Sequence, residues 1–111
     1  QNGDYDFYML GWGVPTLDSH YVFNFLYTTD GSWNFTGFSD ERLDELTVAM
    51  EGTVDEAERD ALIAEAWEIA KEANVYLPLH HQVITWAMVE GVDMPIEAQD
   101  SPHFAWARMS E

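Results

Sequence analysis

His20 and Asn24 stand four residues apart, a spacing that on a helix puts both side chains on one face. A catalytic zinc needs at least a third protein ligand, so the pair is a weak metal signal, and a surface or packing role for His20 is the simpler reading. His80 and His81 are adjacent. In an extended chain adjacent side chains point to opposite sides, so these two do not readily chelate one metal. One of them is expected to face a cleft and the other to point outward, and His81 is carried as the cleft candidate. Carboxylates are plentiful (Glu41, Asp44, Glu45, Glu51, Glu58, Asp60, Glu65, Glu68, Glu72), but they fall mainly on polar helix faces, where solvation accounts for them better than an acid/base pair. No Ser, Thr or Lys has a recognisable base at diagnostic spacing, and there is no phosphate loop. Catalysis, a metal centre and a cofactor are therefore not expected. The chain reads as a binding or interaction module.

The residues that suit binding are aromatic. Trp12 lies between Gly11 and Gly13, after Asp4-Tyr5-Asp6-Phe7-Tyr8-Met9-Leu10 and before Val14-Pro15. The run 4–10 has the aromatic and apolar load of a buried strand, which Pro15, unable to donate to a ladder, must end. In open α/β sheets ligands sit at the carboxyl ends of strands, where Trp12 would present a flat ring. The flanking glycines permit a sharp turn or a close ligand. The competing reading is that Trp12 is simply core. A second aromatic stretch lies in the loop over 28–38, which Asp30-Gly31 and Gly37 break. Trp33, Phe35 and Phe38 there either pack back on the core or offer stacking surfaces, and Asn34 between two of them could hydrogen-bond a ligand. Asn34-Phe35-Thr36 also matches a glycosylation sequon, which carries no weight unless the source makes such glycans.

These residues need elements to hold them. Leu17, Tyr21, Val22, Phe25 and Leu26 recur at helical spacing and predict a short helix within 16–29, capped by Thr16 or Asp18. A second helix is predicted over 39–50, with Ser39 as N-cap, Asp40 and Glu41 in the first turn, Leu43, Leu46 and Met50 buried, and Gly52 after its end. A third opens at Asp55, with Glu58 at the capping-box position, and runs to about Ala73. It buries Leu62, Ile63, Ala66, Ile69 and Ala70, with Trp67 a further candidate. Asn74 breaks it. β-type runs follow over 75–79 and 83–89, then a turn at Glu90-Gly91 and an irregular segment. A last apolar run over 104–109 alternates large and small residues, as a terminal strand laid on a neighbouring sheet or lobe would.

Composition narrows the partners. With 4 Lys plus Arg against 21 Asp plus Glu in 111 residues, the formal charge is −17. Such a surface repels nucleic-acid phosphate and anionic lipid, so neither is expected as a partner. No apolar stretch reaches the length of a membrane span. There is no cysteine, which excludes disulfides and leaves the redox compartment open. The chain opens on Gln1 and enters a strand directly, as a fragment of a longer gene product would.

The order of motifs carries a resemblance. Asp4-Tyr5-Asp6-Phe7 and Gly11-Trp12-Gly13 are followed by Asn34-Phe35-Thr36-Gly37-Phe38-Ser39-Asp40-Glu41-Arg42-Leu43-Asp44-Glu45-Leu46. Then come Asp55-Glu56-Ala57-Glu58-Arg59, Ala64-Glu65-Ala66, Val75-Tyr76-Leu77-Pro78-Leu79-His80-His81 and Glu90-Gly91-Val92. The series resembles the C-terminal part of the family 5 extracellular solute-binding proteins, the dipeptide, oligopeptide and nickel-type receptors of ABC importers, and it covers nearly the whole chain. The resemblance implies an α/β (mixed) fold in which residues 1–111 form a single partial domain. That domain would belong to the C-terminal lobe of a two-lobed periplasmic binding protein, with the order strand, helix, two helices, strands. It implies capture of a small solute (peptide-like, sugar-like or a metal chelate), delivery to an ABC permease, no chemistry on the solute, and a periplasmic or lipid-anchored extracellular location. It also places Met9, Trp12, Gly13, Val14 and Pro15 on the cleft wall, with Asn34 and Phe35 as a second contact patch. Members that bind a free amino terminus carry an aspartate three residues after this tryptophan. Here that position is Pro15, and the nearest acid is Asp18. A buried ammonium needs a paired carboxylate, so the departure argues against plain dipeptides or oligopeptides. The reading from a different class is a stand-alone acidic interaction domain that meets a protein partner through exposed aromatics. In isolation the segment is also expected to self-associate through uncovered apolar surface.

Overall fold

Asp55 caps a long helix as its spacing predicts: its carboxylate accepts the Glu58 N–H at 2.9 Å, and the helix α3 then spans Glu56–Ala73. Asn74 closes it in the left-handed conformation, φ 51°, which asparagine tolerates better than most residues. The structure is a computed structural model that describes residues 6–97 and 100–109. Its chain divides into two units, Gln1–Leu77 and Pro78–Glu111.

The first unit is helical. Helix α1 covers Ser19–Val22 and continues as a π-helix over Phe23–Tyr27; α2 covers Glu41–Gly52. The N-cap of α2 is Asp40 rather than the expected Ser39. The Asp40 carboxylate accepts the Leu43 N–H at 2.8 Å and suits the positive helix end, while the Ser39 hydroxyl pairs with Thr29 Oγ1 at 2.9 Å. Leu43, Leu46 and Met50 are buried as their spacing predicts, together with Thr47, whose hydroxyl donates back to the Leu43 carbonyl. They meet Ala66 and Ala70 of α3, whose small side chains let the large ones of α2 interdigitate. Leu62, Ile63 and Ile69 pack at the edge of this core. Trp67 remains 38% exposed, but its ring leans on Phe23 at 4.6 Å.

Helix α1 buries a different set of residues from the one its spacing predicts. Phe23, Leu26 and Tyr27 are the buried side chains, whereas Leu17 lies outside the helix, 90% exposed, with φ 54°. The π-helix explains the shift. Thr28 N–H reaches back to the Phe23 carbonyl at 3.0 Å, a five-residue step that widens the turn and rotates the faces relative to a 3.6-residue period. Asp18, one of the two predicted caps, is the N-cap.

In the second unit β1 (Val92–Asp93) pairs antiparallel with β2 (Arg108–Met109), and Phe104–Trp106 forms a 3₁₀ turn. An isolated bridge joins Ile96 to Pro102. The fold is thus a mixture of helices and one small antiparallel sheet. The longer predicted strands are not formed as ladders. Asp4 and Tyr5 lie outside the described residues, and 6–10, 75–79 and 83–89 run as extended chain outside any sheet. The predicted terminal strand over 104–109 shrinks to β2. A strand is stable only when its backbone groups are paired, and no described segment lies alongside these runs to pair them. Among the described residues no helix is long and apolar enough to cross a membrane.

A candidate aromatic binding wall

Trp12 stands at the centre of the aromatic side chains of the first unit. Its ring lies 6.0 Å from Tyr21, 6.1 Å from Phe25 and, edge-on, 5.7 Å from Trp33. Trp33 in turn meets Phe35 edge-on at 5.8 Å. These spacings fall in the range where aromatic pairs attract beyond their burial. Tyr21 and Phe25 come from α1, one turn apart, so the helix supplies the floor on which Trp12 rests. Trp12 also packs against the buried core. The two readings of this residue therefore meet in one place, since the ring is anchored in the core and joined edge to edge with more exposed rings. Its indole N–H is shielded from solvent and has no acceptor among the described residues.

The chain on either side of Trp12 is open. Met9 is 79% exposed, Gly13 and Pro15 are exposed, and Val14 is half-buried. A methyl group added at Gly11 or Gly13 would meet nothing within 4 Å, and neither glycine has a positive φ. The local backbone thus does not demand these glycines, and the space beside them is free for another molecule. Val14 lines a shallow, open depression of about 230 Å³ with Leu17, Asp18, Ser19 and Val22.

The loop that carries Trp33 and Phe35 is fixed by two residues. Gly31 approaches α1 so closely that an added methyl would lie 2.8 Å from the Phe25 carbonyl oxygen. Asn34 donates to the carbonyls of Thr28 at 2.9 Å and Phe38 at 2.7 Å, and its oxygen accepts from the Thr36 hydroxyl at 2.8 Å. The amide is engaged in shaping the loop that displays Phe35. Asp18, the other polar candidate, is similarly occupied. One of its oxygens accepts both the His20 N–H at 2.8 Å and Arg59 Nη2 at 2.9 Å. The Arg59 hydrogen bond holds the Asp18 carboxyl below its ordinary range, against the opposing effect of burial. The wall is consequently without an uncompensated charge.

His81 belongs to the second unit, exposed on the extended chain beside His80, which contacts Gln82 at 3.1 Å. Of the candidates, Trp12, Val14 and Phe35 share the aromatic assembly or the depression beside it, with Met9, Gly13 and Pro15 on the same exposed segment. His20 packs near Glu51, with Nε2 3.2 Å from Oε1 but outside hydrogen-bonding geometry. Sequence reasoning did not anticipate Tyr21, Phe25 and Trp33 as partners of Trp12, although the four-residue interval between Tyr21 and Phe25 signalled a shared face. It also passed over Arg59, whose role depends on a residue far away in the chain. Among the described residues no group of three or more His, Asp or Glu could hold a metal ion. Stacking and apolar contact are what this surface can offer.

No family model, curated protein or solved structure matches the chain.

Proposed function

We propose that the chain forms one wall of the solute cleft in the C-terminal lobe of a family 5 type extracellular solute-binding protein, which captures a small solute for an ABC importer. The observation that carries this reading is the Trp12 assembly. A tryptophan on the expected segment joins the Phe35 loop through Trp33, with free space beside both glycines. The absence of an uncompensated carboxylate there favours a solute that is uncharged where it meets the wall, such as a sugar-like molecule, a modified peptide or a chelate, over one presenting a free ammonium. The protein would work in the periplasm or on a lipid anchor outside the cell and pass its solute to a membrane permease.

Exposed Phe104 (74%) and Trp106 (61%) support the second reading, a stand-alone interaction domain that binds a protein partner. Native mass separates the two. An antibody to this chain should detect, in an envelope extract, a band several times heavier than 12.7 kDa that is released with the periplasmic fraction. A cytoplasmic band at the chain's own mass would rule out the receptor.

A further inference from the structure

The segment 79–89 has the form of a strand without its neighbour. Ile84, Trp86 and Met88 are 52%, 44% and 42% exposed, while Val83 and Val89 are 76% and 73% exposed, the two-residue alternation of an extended chain with one face resting on something. The face formed by Gln82, Ile84 and Trp86 lines a cavity of about 300 Å³ with Ile96, Glu97 and Asp100, and Trp86 Nε1 donates to Asp100 Oδ1 at 2.6 Å. The opposite face is bare. From 79 to 88 the backbone makes no backbone hydrogen bond among the described residues, leaving rows of N–H and C=O groups of the kind that another extended strand satisfies.

Charge identifies that strand's owner. In a chain of net charge −17, residues 75–89 contain no Asp, Glu, Lys or Arg. The segment therefore offers nothing to select a basic partner. It is instead a face on which two copies of this acidic chain can meet without placing carboxylates against each other. We infer that 79–89 pairs with the same segment of a second copy, as an antiparallel two-fold strand pair in which Val83 and Val89 cover one another's apolar faces. This inference concerns the chain by itself and does not depend on the receptor reading.

Sedimentation velocity of the 111-residue chain in low and high sodium chloride tests it. The expected species has twice the mass of 12.7 kDa, and its fraction rises with salt, because salt screens the repulsion between the acidic bodies but leaves apolar pairing intact. Val83→Glu should return the chain to monomer. Val54→Glu, an equally apolar change at a site 97% exposed and outside the segment, should leave the dimer unchanged. Far-UV circular dichroism confirms that both variants retain their helices. A chain that stays monomeric at every salt concentration, forms aggregates of no fixed size, or dimerises as well with Val83→Glu overturns the proposal.

Discussion

Arg59 Nη2 donates to Asp18 Oδ1 at 2.9 Å, across 41 residues of sequence, and Arg59 Nε also points at the Met50 carbonyl at 3.3 Å. One guanidinium thus joins the cap of α1, the end of α2 and the first turns of α3. Because it lowers the Asp18 pKa, the contact stabilises the fold above the ordinary value of 3.8 and is lost as pH falls through the lower folded value. Arg59→Met should destabilise the chain by about 1 kcal/mol at neutral pH, a modest figure because both side chains are partly solvated. The difference from the parent should shrink as pH drops below 3.8, and thermal melts across that range would show it.

Gly31→Ala tests the close approach of the aromatic loop to α1. The added methyl would lie 2.8 Å from one backbone oxygen and 3.0 Å from another, neither of which can swing aside. A loss of about 1–3 kcal/mol is expected, measured by urea denaturation, with a change in tryptophan emission as Trp33 moves away from Trp12.

Asn34→Asp separates a loop-building role from a ligand-contacting one. The change replaces two donors, now serving the Thr28 and Phe38 carbonyls, with acceptors. A stability loss of about 1–3 kcal/mol should appear without any solute present. Unchanged stability in the same denaturation experiment would mean that the amide is not needed for the loop.

Trp12→Phe and Trp12→Ala should differ widely. Phenylalanine preserves most of the ring contacts and removes an N–H that has no acceptor among the described residues, so its cost should stay below about 1.5 kcal/mol. Alanine abandons the contacts to Tyr21, Phe25 and Trp33 and should cost about 3–5 kcal/mol. In the full receptor envisaged above, Trp12→Phe should weaken solute binding without comparable loss of stability, which calorimetric titration would register.

Helices α2 and α3 were legible because their information is local. Leu43, Leu46 and Met50 repeat at helical spacing, and Asp55 sits three residues before the N–H it caps. Helix α1 was legible in position but not in face, since nothing in its own residues announces that Thr28 bonds to Phe23 instead of Asn24. The β-type runs at 6–10 and 83–89 failed as sheet predictions for a different reason. Side-chain preference describes what a strand would bury, whereas a ladder depends on a distant neighbour, as the pairing of Val92 with Met109 illustrates. At the candidate wall, Trp12 and Phe35 stood out by type, but the link through Trp33 and the engagement of Asn34 and Asp18 by the protein itself needed three-dimensional proximity.

The π-helix in α1 sets the phase between two surfaces. Phe23 and Tyr27 are directed inward to the core, while Tyr21 and Phe25 carry Trp12. Deleting a single residue between 23 and 27 would let the segment relax into an ordinary α-helix, yet would turn everything before it by about 100° about the axis. Asp18 would then swing away from Arg59, and Tyr21 from beneath the indole. The helix could survive such a deletion as a helix and still disassemble both the staple and the wall. Insertions and deletions in this short stretch should accordingly be far less tolerated than substitutions.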